Sequence, residues 1–174
     1  MGGGQFETPV LESRSEALAW LEAERANVLA CIRRAHDLEL YEVVVQLAAA
    51  LAPFLRQAGP WDQAVGLHRT ATEAAARTGD HAARADALAE LGVVRRFMAA
   101  YPEAVEALTA AADEFAAVGD PRRRADALRD LGVVHGLCGR YRQAMEHHQQ
   151  ALDLYTELGD RAALLRPADR TPPR

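Results

Sequence analysis

Cysteine is scarce: Cys31 and Cys138 are the two thiols in 174 residues. Two thiols make no disulfide framework, and their scarcity fits a reducing compartment, so a cytoplasmic protein is expected. Aromatic residues make up only 6% of the chain. Alanine and leucine carry the apolar fraction instead, which suits closely packed helices better than strands. No apolar run approaches the length of a membrane span, and no membrane contact is expected. Positive charge is not in excess; the formal net charge is -5, which removes any global attraction to nucleic acid or anionic lipid. Met1-Gly2-Gly3-Gly4 has neither a basic region nor a hydrophobic stretch behind it, so it does not read as a secretory signal. Phe6 stands where myristoylation of Gly2 needs a small hydroxyl residue. A Gly-rich phosphate loop ending in Lys-Ser or Lys-Thr is missing. The serines, histidines and acids have no spacing that makes them converge. No catalytic residue is nominated, no enzyme activity is expected, and neither cofactor nor metal is called for.

What the chain does have is repetition. Tyr101-Pro102-Glu103-Ala104 leads to Val118-Gly119-Asp120, Tyr141-Arg142-Gln143-Ala144 to Leu158-Gly159-Asp160, and Trp61-Asp62-Gln63-Ala64 to Thr78-Gly79-Asp80. The period is about 40 residues, the mark of a solenoid. Between these stretches Ala85-Asp86-Ala87-Leu88 recurs as Ala125-Asp126-Ala127-Leu128, and Leu91-Gly92-Val93-Val94 as Leu131-Gly132-Val133-Val134. Leu51-Ala52 takes the Leu-Gly place in the earliest unit. Small residues there, and at Ala64, Ala104 and Ala144, let two helix backbones approach closely, while bulky neighbours fill the remaining space. Each pair keeps an apolar face that the next pair covers.

The punctuation sets the helices. Ser13 or Ser15 caps a first helix, with Glu16 three residues after Ser13 in a capping-box pattern; the helix is expected over 14–35 with Leu18, Leu21, Val28, Leu29 and Ile32 on one stripe and Arg25 as its exception. Trp20 at the edge of the stripe reads as a packing anchor, and Cys31 as a buried helix residue. A second helix follows over 42–57, with an apolar face of Val43, Val44, Leu47, Leu51, Phe54 and Leu55; Pro53 is expected to bend or end it. After the break at Ala58-Gly59-Pro60, a third helix runs over 61–78. Each of Gly79-Asp80, Gly119-Asp120 and Gly159-Asp160 stops one helix through a left-handed glycine and caps the next through the aspartate. Helices are therefore expected at 81–98, 101–118, 121–138 and 141–158. Residues 1–12 read as an irregular lead-in, 13–166 as one repeat domain, and 167–174, with three prolines, as an extended tail.

This pattern resembles the tetratricopeptide repeat. Leu88, Leu91-Gly92, Tyr101, Ala104, Leu108 and Ala111 carry the resemblance; Leu128, Leu131-Gly132, Tyr141, Ala144 and Ala151 repeat it, and Ala48, Leu51, Ala52, Trp61, Ala64 and Ala71 follow it more loosely. The family period is shorter, near 34 residues. The resemblance implies an all-α fold, a right-handed superhelix of antiparallel helix pairs over about 42–158 with the first helix as a degenerate cap. A narrower resemblance, on Ala19-Trp20-Leu21-Glu22-Ala23-Glu24-Arg25-Ala26-Asn27-Val28 and Gln46-Leu47-Ala48-Ala49-Ala50-Leu51, is to the C-terminal repeat region of large actinobacterial regulators related to antibiotic-production activators. Their DNA-binding and nucleotide-binding domains have no counterpart in this sequence. The implied role is the sensing or docking part of a signalling or transcriptional regulator.

Repeat geometry implies which residues line the concave face. From the first pair these are Gln46, Ala49, Pro53, Arg56 and Gln57; from the second, Asp86, Ala89, Val93, Arg96 and Phe97. From the third they are Asp126, Arg129, Val133, Gly136 and Leu137. Arginine offers a fork of donors to a carboxylate and an aromatic ring offers an anchor. A protein or peptide partner is expected there, with a small effector near Arg96, Phe97 and Arg129 as the alternative; the competing reading has Phe97 filling an end-of-helix contact. Arg122-Arg123-Arg124 reads as solvated surface, with Asp126 a local partner for Arg122; direct nucleic-acid binding is not expected. His135, Cys138, His147 and His148 make a weak metal set, because a closed zinc site needs four converging ligands and His148 occupies the packing position of Leu108 and His68. At the C-terminal end the code restarts at Asp160 and breaks at Pro167. Leu152 and Tyr155 are expected to be partly uncovered there. Either a homodimer or another protein covers them, or residues 161–166 fold over them through Leu164 and Leu165.

Overall fold

The computed structural model describes residues 13–160. Among them the chain forms seven helices: α1 (Arg14–Asp37), α2 (Tyr41–Ala58), α3 (Trp61–Thr78), α4 (His81–Phe97), α5 (Tyr101–Ala117), α6 (Pro121–Leu137) and α7 (Tyr141–Glu157). Each helix packs on its successor in the chain, and α2 touches α4 as α4 touches α6. This is an all-α superhelix of helical hairpins, as the repeat pattern implies. The lead-in over 1–12, Leu164, Leu165 and the tail over 167–174 lie outside the described residues.

The starts and stops obey local chemistry. Ser13 Oγ accepts from the Glu16 amide at 3.2 Å and opens α1. Asp80 accepts from the Ala83 amide and Asp120 from the Arg123 amide, each at 2.9 Å, which satisfies an orphan donor at each helix start. That amide bond, helped by the Arg123 side chain and opposed by burial, leaves the Asp120 carboxyl below the usual carboxylate range. Gly79, Gly119 and Gly159 all have φ between 66° and 72°, the left-handed region that glycine enters freely.

Inside the hairpins the same turn is made with other residues. Gly139 has φ 71°, and its counterparts Ala99 and Gly59 have φ 57° and 61°; Glu39, one period before Gly79, has φ 58°. A left-handed Cβ residue is strained, so Ala99→Gly is expected to stabilise the protein. The gain should be about 0.5 kcal/mol after the extra unfolded-state entropy of glycine is offset. Urea denaturation should show a higher midpoint with an unchanged slope.

Two joined clusters form the core. Leu29, Ile32, Val44, Leu51, Phe54, Leu55 and Leu67 fill the first, and Leu108, Phe115, Leu128, Leu131 and Val134 fill the second. Ala64, Ala104 and Ala144 are buried at the helix crossings. A Cβ on Gly92 would lie 2.5 Å from Leu108 Cγ, and one on Gly132 2.5 Å from His148 Cε1, so the glycines mark the closest approach within the second and third pairs.

Five residues depart from expectation. Pro53 does not end α2 at the proline; the helix continues to Ala58. Cys31 is exposed rather than buried. Trp20 is 37% exposed on α1, where no earlier helix among the described residues packs, and Val43 of α2 is exposed although α1 packs on that helix. Tyr155 is buried, and its hydroxyl donates to Asp126 Oδ1 at 2.7 Å. It points into the last pair and is not part of the free end.

Candidate functional site: a groove across the even-numbered helices

The solenoid geometry turns alternate helices toward one side, and α2, α4 and α6 together border a groove of about 500 Å³. Its two halves differ. Val45, Ala49 and Pro53 of α2 make an apolar wall, whereas Arg123, Asp126, Arg129 and Asp130 of α6 make a charged one. Asp86, Ala89, Glu90 and Val93 of α4 lie between, and His68, Ala71 and Phe115 contribute from α3 and α5.

Ion pairs knit the lining helices together. Arg56 Nη1 donates to Glu90 Oε1 at 3.0 Å, joining α2 to α4. Arg123 Nη1 donates to Asp86 Oδ1 at 2.6 Å, joining α6 to α4. Arg129 reaches Asp126 at 3.2 Å and Asp130 at 3.4 Å on its own helix. Burial pushes the Asp130 carboxyl above its usual range, against the pull of Arg129 and Arg96. Burial, then the bond to Asp126, holds the Tyr155 phenol well above its usual range. His68 is 2% exposed. Burial, helped by Arg56, drops its pKa to about 4, so the ring is neutral at pH 7. Its Nε2 has no hydrogen-bond partner among the described residues.

Of the residues expected on the concave face, Ala49, Pro53, Arg56, Asp86, Ala89, Val93, Asp126 and Arg129 border this groove. Gln46, Gln57, Arg96, Phe97, Val133, Gly136 and Leu137 do not. Phe97 stacks on Trp61 with ring centroids 5.7 Å apart, and the Arg96 guanidinium lies 4.5 Å from the Phe97 ring centroid. That is the end-of-helix contact of the competing reading. His68, Glu90, Arg123 and Asp130 were not singled out for the groove; Glu90 and Asp130 recur one period apart, which was the available signal.

Two arginines of the basic run meet carboxylates: Arg122 meets Asp160 at 3.0 Å and Asp126 at 3.7 Å, and Arg123 meets Asp86 and Asp120; Arg124 is exposed. His135 and His147 stack with centroids 5.2 Å apart. Among the described residues, no group of three or more histidines, cysteines and acids converges to hold a metal, and no helix is long and apolar enough to cross a membrane.

Residues 127–162 match the model of a tetratricopeptide repeat. The matched span takes in the close-contact glycine Gly132 and the small residues Ala144 and Ala151. No curated protein matches the chain. The helical repeat fold is of the kind typical of protein–protein interaction modules.

Proposed function

We propose that the groove binds a segment of another protein, and that the chain is the docking or sensing part of a signalling or transcriptional regulator. The observation that carries the reading is the groove itself, with an apolar wall on α2 facing a charged wall on α6 across α4. A short segment fits this arrangement by placing an apolar side chain over Val45, Ala49 and Pro53 while its polar groups meet Asp86 and Arg123, whose side chains are about half exposed. The regulator assignment draws its support from the resemblance at Ala19–Val28. The free thiols, Cys31 exposed and Cys138 half-buried, suit a reducing compartment and a cytoplasmic setting.

Ala49 and Ala89 border the groove without belonging to the fully buried core, so a large side chain there fills the groove and leaves the fold intact. Peptides selected by display against the wild type are expected to bind Ala49→Trp and Ala89→Trp at least tenfold more weakly, about 1.4 kcal/mol or more. Selected peptides that bind these variants with unchanged affinity would place the docking surface elsewhere. The unpartnered His68 Nε2 supports a second reading, a small effector in the same groove, whose volume lies in the roughly 300–1,000 Å³ range of ligand pockets. That reading replaces the first if metabolite-sized compounds, and no peptides, raise the melting temperature of the wild type but not of Ala89→Trp.

A further inference from the structure

We infer that the outer face of α7 is a homodimer interface, formed by two copies packing antiparallel about a two-fold axis. Tyr141, Met145, His148 and Leu152 recur at spacings of four, three and four residues, which places them on one stripe of the helix. Tyr141 is 71% exposed, Met145 73% and Leu152 44%, and His148 is exposed too. One period earlier, the same positions of α5 are Tyr101, Val105, Leu108 and Ala112. Leu108 is 0% exposed and Ala112 5%, and Tyr101 and Val105 are half-buried. Leu108 lies against Gly92 of α4 within its own pair; what α5 has in addition is α6, which packs on it and brings Leu128, Leu131 and Val134 into one cluster with Leu108, Ala112 and Phe115. The stripe on α7 is therefore an interface surface by position, built to be covered.

The repeat phase after α7 offers no equivalent apolar cover in the sequence. Continuing the phase places Ala168, Thr171 and Arg174 where α6 has Leu128, Leu131 and Val134, and Pro167 where α6 has Ala127. The large apolar side chains that seal α5 have no successors.

A second copy of α7 does supply it. A two-fold axis between His148 and Gln149 sets Met145 of each copy against Leu152 of the other, while each His148 ring stays against Gly132 of its own α6. Arg142 and Asp153 lie on the same flank of the stripe, eleven residues apart, and an antiparallel two-fold brings like flanks together. Arg142 of one copy then meets Asp153 of the other, twice. These exposed pairs set the register more than the affinity. One helix face about 25 Å long offers less than the roughly 800 Å² per partner of a standard interface, so the dimer is weak and concentration-dependent.

The test is the mass of the full chain by light scattering or sedimentation from about 1 μM to about 1 mM. The mass should rise from one copy toward two. Met145→Glu, at an exposed position, should weaken association at least tenfold with an unchanged circular dichroism spectrum. Arg142→Asp and Asp153→Arg should each weaken it, and the two together should restore it, an outcome that a merely sticky patch does not give. A monomer throughout the range overturns the proposal, as does a dimer indifferent to Met145→Glu. Leu164→Ser with Leu165→Ser should leave association unchanged; a change in either direction would assign the face to the segment after Asp160 and overturn the proposal. The groove variant Ala89→Trp should dimerise as the wild type does, so this test is independent of the docking function.

Discussion

Replacing His68 with leucine is expected to remove most of the protein's loss of stability between pH 6.5 and pH 4. His68 is buried, and its pKa falls from 6.5 to about 4, chiefly through burial and then through Arg56. Between those values the unfolded chain binds a proton that the folded protein refuses. Stability therefore falls as the pH falls through that window, by about 3 kcal/mol in all. It is fully present above the unfolded pKa and lost toward the folded one. Leucine carries no such proton, and it is the residue the repeat itself uses at the equivalent Leu108, which is fully buried. The substitution also removes a buried nitrogen without a partner, worth a further 1 kcal/mol or so at neutral pH. Urea denaturation at pH 7 and pH 4.5 measures both effects. His135 and His148, whose pKa values are also lowered by burial first, leave a residual slope of the same sign. A variant as acid-sensitive as the wild type would mean that water or a rearranged helix pair solvates His68.

The second large effect is a contrast between two chemically identical changes. Gly92→Ala should destabilise the protein by about 2 kcal/mol, while Gly132→Ala should be neutral or stabilising by up to about 1 kcal/mol. Alanine improves helix propensity equally at both sites. At Gly92 the new methyl meets Leu108 Cγ at 2.5 Å and the Ala104 carbonyl oxygen at 3.2 Å. Leu108 is fully buried and has nowhere to go, so α5 must move away from α4. At Gly132 the nearest atoms belong to the His148 ring, the far end of an exposed side chain, which swings aside. Adding Leu108→Ala to Gly92→Ala should then cost less than the sum of the two single changes, because the new methyl occupies part of the vacated space. Strict additivity would show that the two residues do not share the contact.

The small-residue code that led to these glycines was legible before any coordinates. Gly92 and Gly132 sit one period apart, and so do Gly79, Gly119 and Gly159 with their capping aspartates. A left-handed stop followed by a side-chain cap is local chemistry, set within a few residues, which is why the helix ends fall within about two residues of where the pattern puts them. Pro53 is the exception. A lost amide bond inside α2 is tolerated because Val44, Leu51, Phe54 and Leu55 hold the helix in the core from both sides of the proline.

The groove was legible only in part, because a helix face spans a wide arc and the repeat phase does not say which edge of that arc a neighbour will cover. Ala49, Asp86, Ala89 and Arg129 lie in the middle of the arc. Phe97, at the end of its helix, met Trp61 of the preceding helix, a contact between residues 36 apart in the chain that no local pattern encodes. The same holds for ionic partners. The sequence alone offered Asp126 to Arg122 because both are on one helix, but it could not assign Arg123 to Asp86 or Arg56 to Glu90, which requires three helices in register. Nor could it show that Tyr155 turns inward to Asp126 while Met145, on the same helix, faces out. Period, caps and close contacts are properties of neighbours along the chain, and the sequence determines them. Which charges meet, which histidine loses its water and which face of α7 is exposed among the described residues depend on how the hairpins stack, and the tertiary structure alone decides them.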